Sequence, residues 1–171
     1  MTHMQEIQQA TLADIPQLNK LINSAYRGDS SKQGWTTEAH LLEGIRCDEE
    51  MLGELLQTPS TIFLKYLEND QLLGCVRLDK QGQRMYLGML AVAPNLQGGG
   101  IGKKLLKASE QEALRRQCNV IHMTVISVRP ELVAWYERHG YVRTGEVIPF
   151  TAETSISKEP LEMLVLEKQV S

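Results

Sequence analysis

Cysteine is scarce in this 171-residue chain: Cys47, Cys75 and Cys118 are the only three, and no C-x-x-C pair occurs. An odd, widely spaced set fits neither a disulfide framework nor a cysteine zinc site, so the three read as small buried or half-buried side chains. Long hydrophobic runs are missing as well. The longest apolar stretch, Leu87 to Leu96, falls far short of the ~18 residues a membrane span needs. The opening Met1-Thr2-His3-Met4-Gln5-Glu6-Ile7 carries no basic patch followed by an apolar run. No secretory leader is therefore visible, and the expected location is cytoplasmic, with no membrane partner. An excess of one charge is lacking too, since 18 Lys and Arg face 21 Asp and Glu, for a net charge of −3. A mildly acidic chain without a basic footprint is a poor nucleic-acid binder, and none is expected as a partner. No repeat or low-complexity tract occurs, and no His/Cys/carboxylate spacing indicates a metal.

What is present is an average globular composition, 42% hydrophobic and 23% charged. At this length one domain over residues 1–171 is the expectation. Glu6 to Ala10 reads as a first strand. Asp14 can cap a helix with Gln17 completing the box, and Ile15, Leu18, Ile22 and Ala25 carry its apolar face to about Tyr26. Thr36 can cap a second helix with Leu41, Leu42 and Ile45, and Asp48 a third with Met51, Leu52, Leu55 and Leu56. Three strands then meander through Thr61–Leu67, Leu72–Leu78 and Arg84–Ala93, turning at Asn69-Asp70 and Gln81-Gly82. A helix from Ile101 to Gln117 follows, then Val120 to Ile126 as a strand buried on both faces. Pro130 opens a short helix to about His139. Tyr141–Val147 and Leu161–Leu166 end the chain as strands around a polar loop. This order, β-α-α-α-β-β-β-α-β-α-β-β, implies a mixed α/β sheet with helices on its faces.

The informative stretch is Ala93-Pro94-Asn95-Leu96-Gln97-Gly98-Gly99-Gly100-Ile101-Gly102-Lys103-Lys104, between a strand and a helix. Glycines there permit positive φ and close approach of backbone N–H groups to a ligand. The helix start adds unbonded N–H groups and the positive dipole end, a pairing suited to phosphate. Charge order agrees: Lys103, Lys104 and Lys107 crowd the first turns, where an unliganded helix favours Asp or Glu. A P-loop would need Gly at Gln97 and Ser or Thr at Lys104. A dinucleotide fingerprint would place its third glycine at Lys103 or Leu105. Both patterns fail.

The stretch resembles the signature of the GNAT-type N-acetyltransferases, Q/R-x-x-G-x-G/A, through Gln97, Gly100 and Gly102, with Val92-x-Pro94 before it. A second match is Ala134-Trp135-Tyr136-Glu137-Arg138-His139-Gly140-Tyr141, like the family's Y-x-x-x-G-F/Y. The motifs cover Leu90 to Tyr141, and the element order extends the resemblance over nearly the whole chain. It implies a mostly antiparallel mixed sheet flanked by helices and splayed at an acyl-CoA cleft. It further implies acetyl-CoA as acyl donor, with no metal. The diphosphate would lie on the loop formed by Gln97, Gly98, Gly99, Gly100, Ile101, Gly102 and Lys103. The pantetheine arm would pair along Leu90, Ala91 and Val92 like an added strand. Tyr136 matches the tyrosine that protonates or hydrogen-bonds the departing thiolate, a task suited to a phenol with a pKa near ~10.

Two positions depart from the family pattern. Arg129 stands where many members have a cofactor-contacting Asn, and its guanidinium could still reach a phosphate. Arg84 to Ala93 holds no carboxylate, so the usual strand base is missing. Glu38, Glu43, Tyr86, His122 and Glu146 are the candidates to serve through a water, each with a plainer reading as a solvated or structural side chain. Acceptor choice falls to Tyr26, Arg27, Trp35 and Glu38 on one side and Phe150 with the loop to Pro160 on the other. The expected partner is a small-molecule or peptide amine, and a homodimer is compatible with the sequence. The competing reading is a non-catalytic acyl-CoA-binding sensor or partner-binding module on the same fold.

Overall fold

The structure, a computed structural model, describes residues 5–26, 48–96, 99–127, 129–150 and 161–171. Seven strands form one sheet: β1 Gln5–Gln9, β2 Thr61–Glu68, β3 Gln71–Gln81, β4 Arg84–Val92, β5 Val120–Ile126, β6 Val142–Phe150 and β7 Leu161–Gln169. Their spatial order is β1-β2-β3-β4-β5-β7-β6. Every neighbouring pair is antiparallel except β4 with β5, which is parallel. The expected mixed, mostly antiparallel sheet is present. Asn69 and Asp70, at φ 51° and 67°, close the β2–β3 hairpin in the doubly left-handed turn that matches strand twist.

Helices α1 (Ile15–Tyr26) and α2 (Glu49–Leu56) cover one face of the sheet, and α3 (Ile101–Arg115) packs on the other. Helix α4 (Pro130–Arg138) joins the α3 side, where Val133 and Tyr136 enter the same apolar cluster as Leu105, Leu106, Ile121 and Met123. The opposite cluster joins Leu18, Ile22 and Leu52 to Phe63, Cys75, Met89 and Ala91. Cys75 and Cys118 are buried and free, as expected, whereas Cys47 lies outside the described residues. The proposed helix of Thr36, Leu41, Leu42 and Ile45 also lies outside them.

Several boundaries differ from the sequence reading. Helix α1 is introduced by a 3-10 turn, Leu12–Asp14, capped by Thr11 rather than by Asp14. The Asp14 carboxylate instead accepts from the Thr11 N–H at 2.8 Å, closing a capping box one turn earlier. Strand β3 continues to Gln81 because Asp79 and Lys80, polar enough to read as loop, pair with Tyr86 and Met85 of β4. Strand β5 is not buried on both faces: Val120, His122 and Thr124 are half-buried while Ile121, Met123 and Val125 are buried. Cap α2 matches its reading, with the Met51 N–H donating to Asp48 Oδ1 at 2.7 Å.

Asp14 also receives the Lys65 ammonium at 2.9 Å, with both side chains largely buried. Burial raises the carboxyl pKa, but the Thr11 N–H and Lys65 outweigh it, and the net position is below the ordinary 3.8. A carboxyl held low in the folded state stabilises above its unfolded pKa, and that contribution fades as pH falls through the folded value. Asp14→Ala should therefore cost ~1–2 kcal/mol in urea unfolding at pH 7. The gap from wild type should narrow below pH 3.8; an undiminished gap at pH 2 would assign the loss to packing instead.

Candidate active site

Strands β4 and β5 run together for only three rungs, Arg84↔Val120, Met85↔Ile121 and Tyr86↔His122. Beyond that last rung no ladder joins them, and the sheet opens as a V. The cause lies in β4. Gly88 pairs with Arg77 and Ala91 with Cys75, so Met89 and Leu90 together oppose Val76 alone. This is a β-bulge, which bends the strand and sharpens its twist. Met89 carries the distortion at φ 48°, a left-handed conformation costly for a residue with a Cβ and of the kind that gathers at functional sites.

The V holds a cavity of about 100 Å³ lined from β4 by Tyr86 through Leu90, from β5 by Met123 through Ile126, and from α4 by Arg129, Leu132 and Tyr136. Tyr136 is 6% exposed, and its ring packs edge-on against Trp135 at 5.0 Å and Tyr141 at 5.9 Å. Burial, and secondarily Tyr86, push its phenol well above the ordinary value of 10.0, so it holds its proton throughout the neutral range. Tyr86 stands on the opposite wall. A Cβ at Gly88 would fall 2.8 Å from Tyr86 Cε1 and 3.3 Å from its hydroxyl. The ring thus lies along β4 toward the opening, over a position that must lack a side chain.

At the strand-to-helix turn, Gly100 is the N-cap of α3 at φ 89°. A Cβ there would meet nothing within 4 Å, so the turn faces open space. The first helical bond runs from the Lys104 N–H to Gly100 O at 3.1 Å, leaving the N–H groups of residues 101–103 at the open helix end. The first turn has no acidic residue, and Lys103, Lys104 and Lys107 are exposed. Gly102 has a different reason to be glycine: its Cβ would sit 3.2 Å from the Trp135 ring, so the glycine sets how closely α3 and α4 approach. The two signature motifs thereby touch. Ile101 points inward and is buried. Gln97 and Gly98 lie outside the described residues, as do Arg27, Trp35, Glu38 and Glu43.

Arg129 lines the wall of the V. It is 3% exposed, caps α4, and its Nε donates to Glu131 Oε1 at 2.6 Å. Leu90, the second residue of the bulge, and Ala91 and Val92 after it are buried. Of the separate candidates Tyr86, His122 and Glu146, the first two are in contact and the third lies within electrostatic range of His122. His122 touches the Tyr86 ring edge-on at 5.5 Å, and Glu146 and Glu167 act on it electrostatically. Among the described residues no cluster of His, Cys, Asp and Glu is arranged to hold a metal, and no helix is long and apolar enough to cross a membrane.

The parallel V, the bulged strand and the glycine-capped helix define the fold of acyl-CoA-dependent acetyltransferases. The acetyltransferase (GNAT) domain profile matches residues 28–151. The chain belongs to the GNAT acetyltransferase family. It is 32% identical over 73 residues to an acetyltransferase of Agrobacterium fabrum, a match covering 43% of this chain and 52% of that one. The matched segment thus spans about half the length of that curated relative. Similar solved structures include a ribosomal-protein-alanine N-acetyltransferase from Brucella melitensis, with TM-score 0.75, 21% identity, and 96% and 99% of the two chains covered. Another is the ribosomal-protein-S18-alanine N-acetyltransferase from Escherichia coli, with TM-score 0.74, 15% identity, and 98% and 95% covered. At these identities the likeness is one of fold.

Proposed function

We propose that this chain, as a single domain over residues 1–171, transfers an acetyl group from acetyl-CoA to a primary amine by direct attack. The observation that carries the reading is the opening between β4 and β5 directly above Tyr86↔His122, with Tyr136 in its wall. The backbone of Leu90, Ala91 and Val92 would accept the pantetheine arm as an added strand, since the bulge has turned β4 away from β5. The diphosphate would sit at the N-terminus of α3, on the loop from Gln97 to Lys103, where open space lies before Gly100.

Tyr136 would serve the leaving group. Its phenol is protonated at neutral pH and buried, where a hydrogen bond to a thiolate is stronger than in solvent. Arg129, lining the same cavity, would face the acyl end of the cofactor or the acceptor. The acceptor is a small-molecule or peptide amine met on the α1–α2 side of the sheet, and the site of action is the cytoplasm.

Titration calorimetry with acetyl-CoA and free CoA, followed by thiol release with a panel of amines, tests this reading. Binding of both ligands and amine-dependent release are the expected results. Binding without release for any amine would favour an acyl-CoA-binding module, a reading to which the absence of a carboxylate between Arg84 and Val92 lends weight. No heat with either ligand would overturn both.

A further inference from the structure

We infer that His122 receives the proton that the acceptor ammonium sheds before it attacks, at the floor of the V and beside Tyr86. This deepens the acetyl-transfer reading and rests on it. The placement comes from strand register. His122 occupies the last rung that β4 and β5 share, and both its partner Tyr86 and the next same-face residue on β5, Thr124, line the cavity. The ring lies against the lining residue Tyr86, one rung before the strands part, on the half-open face of β5.

The second observation is an orphan. Nε2 of His122 is buried and has no hydrogen-bond partner among the described residues. A buried polar atom without a partner is uncommon in folded proteins and calls for a reason. A neutral imidazole has one nitrogen with a free lone pair; in the Nδ1–H tautomer that nitrogen is Nε2, which no described residue engages.

The surroundings keep the ring neutral until then. Arg84 and Tyr86 of β4, Glu167 of β7 and Glu146 of β6 face it, and Arg77 of β3 lies over the Tyr86 ring at 5.7 Å. Arg84 is bonded to Glu167 at 3.2 Å. Burial and then Arg84 lower the imidazole pKa below 6.5, outweighing the two carboxylates. Glu146 is within range because β6 bulges: its pairing jumps from Arg143↔Leu166 to Val147↔Leu164, with Gly145 at φ 90°. The two carboxylates supply a negative field that favours the approach of an ammonium ion.

The step balances. An N–H proton of the ammonium passes to His122 Nε2, directly or through one water, and then to solvent. The amine nitrogen forms its bond to the acetyl carbon, and the carbon–sulfur bond breaks. The second proton lost by nitrogen ends on the sulfur, by way of the Tyr136 hydroxyl.

The test compares wild type with His122→Gln and His122→Asn, using a basic alkylamine and a weakly basic alkoxyamine that is already neutral at pH 7. Both variants should bind acetyl-CoA like wild type in calorimetry. They should lose about a hundredfold in kcat with the alkylamine, within the usual range for general-base removal, and less than about tenfold with the alkoxyamine. Independently of turnover, imidazole nitrogen NMR should show His122 neutral at pH 7 and protonated only below pH 6.5. Equal losses on both amines, unchanged turnover on the alkylamine, or an imidazolium at pH 7 would each overturn the inference. Failure of the wild type to bind acetyl-CoA would instead overturn the acetyl-transfer reading, and this proposal with it.

Discussion

Replacing Gly100 by glutamate should abolish measurable acetyl-CoA binding in calorimetry while leaving the protein folded. Two effects act together. Gly100 is held at φ 89°, where a Cβ costs ~1–2 kcal/mol. The larger effect is electrostatic, because a carboxylate would stand at the positive end of α3, in the open space where the diphosphate is proposed to sit. A loss of at least about a hundredfold in affinity corresponds to ~2.8 kcal/mol. Gly100→Ala separates the two, since it introduces the same backbone strain without the charge. Alanine should lower stability like glutamate yet keep detectable binding. Glutamate binding acetyl-CoA as well as alanine would place the diphosphate elsewhere.

Tyr136→Phe should reduce kcat by roughly ten- to 150-fold with acetyl-CoA affinity unchanged. The range follows from a hydrogen bond to a charged acceptor, ~1.5–3 kcal/mol, at tenfold per ~1.36 kcal/mol. Phenylalanine keeps the ring that packs on Trp135 and Tyr141, so the fold should tolerate the change. Burial raises the phenol pKa, so its ionisation should produce no fall in rate between pH 7 and 10. A single-turnover rate within twofold of wild type would remove Tyr136 from the chemistry, and an equal loss in binding would make it a cofactor anchor.

Much of the fold is legible locally. The boundaries of β5, the Asp48 cap of α2, and the Asn69-Asp70 turn follow from a bounded apolar run, a capping oxygen and turn chemistry. Less legible is the bulge at Met89, because methionine carries no signal for a left-handed backbone and the one local sign, the strand glycine Gly88 beside it, fits a close backbone approach equally well. The extension of β3 through Asp79 and Lys80 is hidden for a related reason. Polar residues join a ladder when a partner strand arrives, and propensity alone does not register that partner.

The candidate site divides in the same way. Gly100 and Tyr136 stand in local motifs, and their residue types alone state the chemistry they suit: a left-handed helix cap and a phenol. Tyr86, His122 and Glu146 are unremarkable where they stand in sequence, a strand aromatic, a strand histidine and a solvated carboxylate. Tyr86 and His122 meet because β4 and β5 pair in parallel for three rungs before parting, and Glu146 on the bulged β6 acts on His122 only through its charge. The amino-acid sequence by itself determined the type and order of most described elements, the glycine cap and the family. Register between strands far apart in the chain, set by non-local hydrogen bonding and by which face is buried, decided where the cleft opens and which side chains gather beside it.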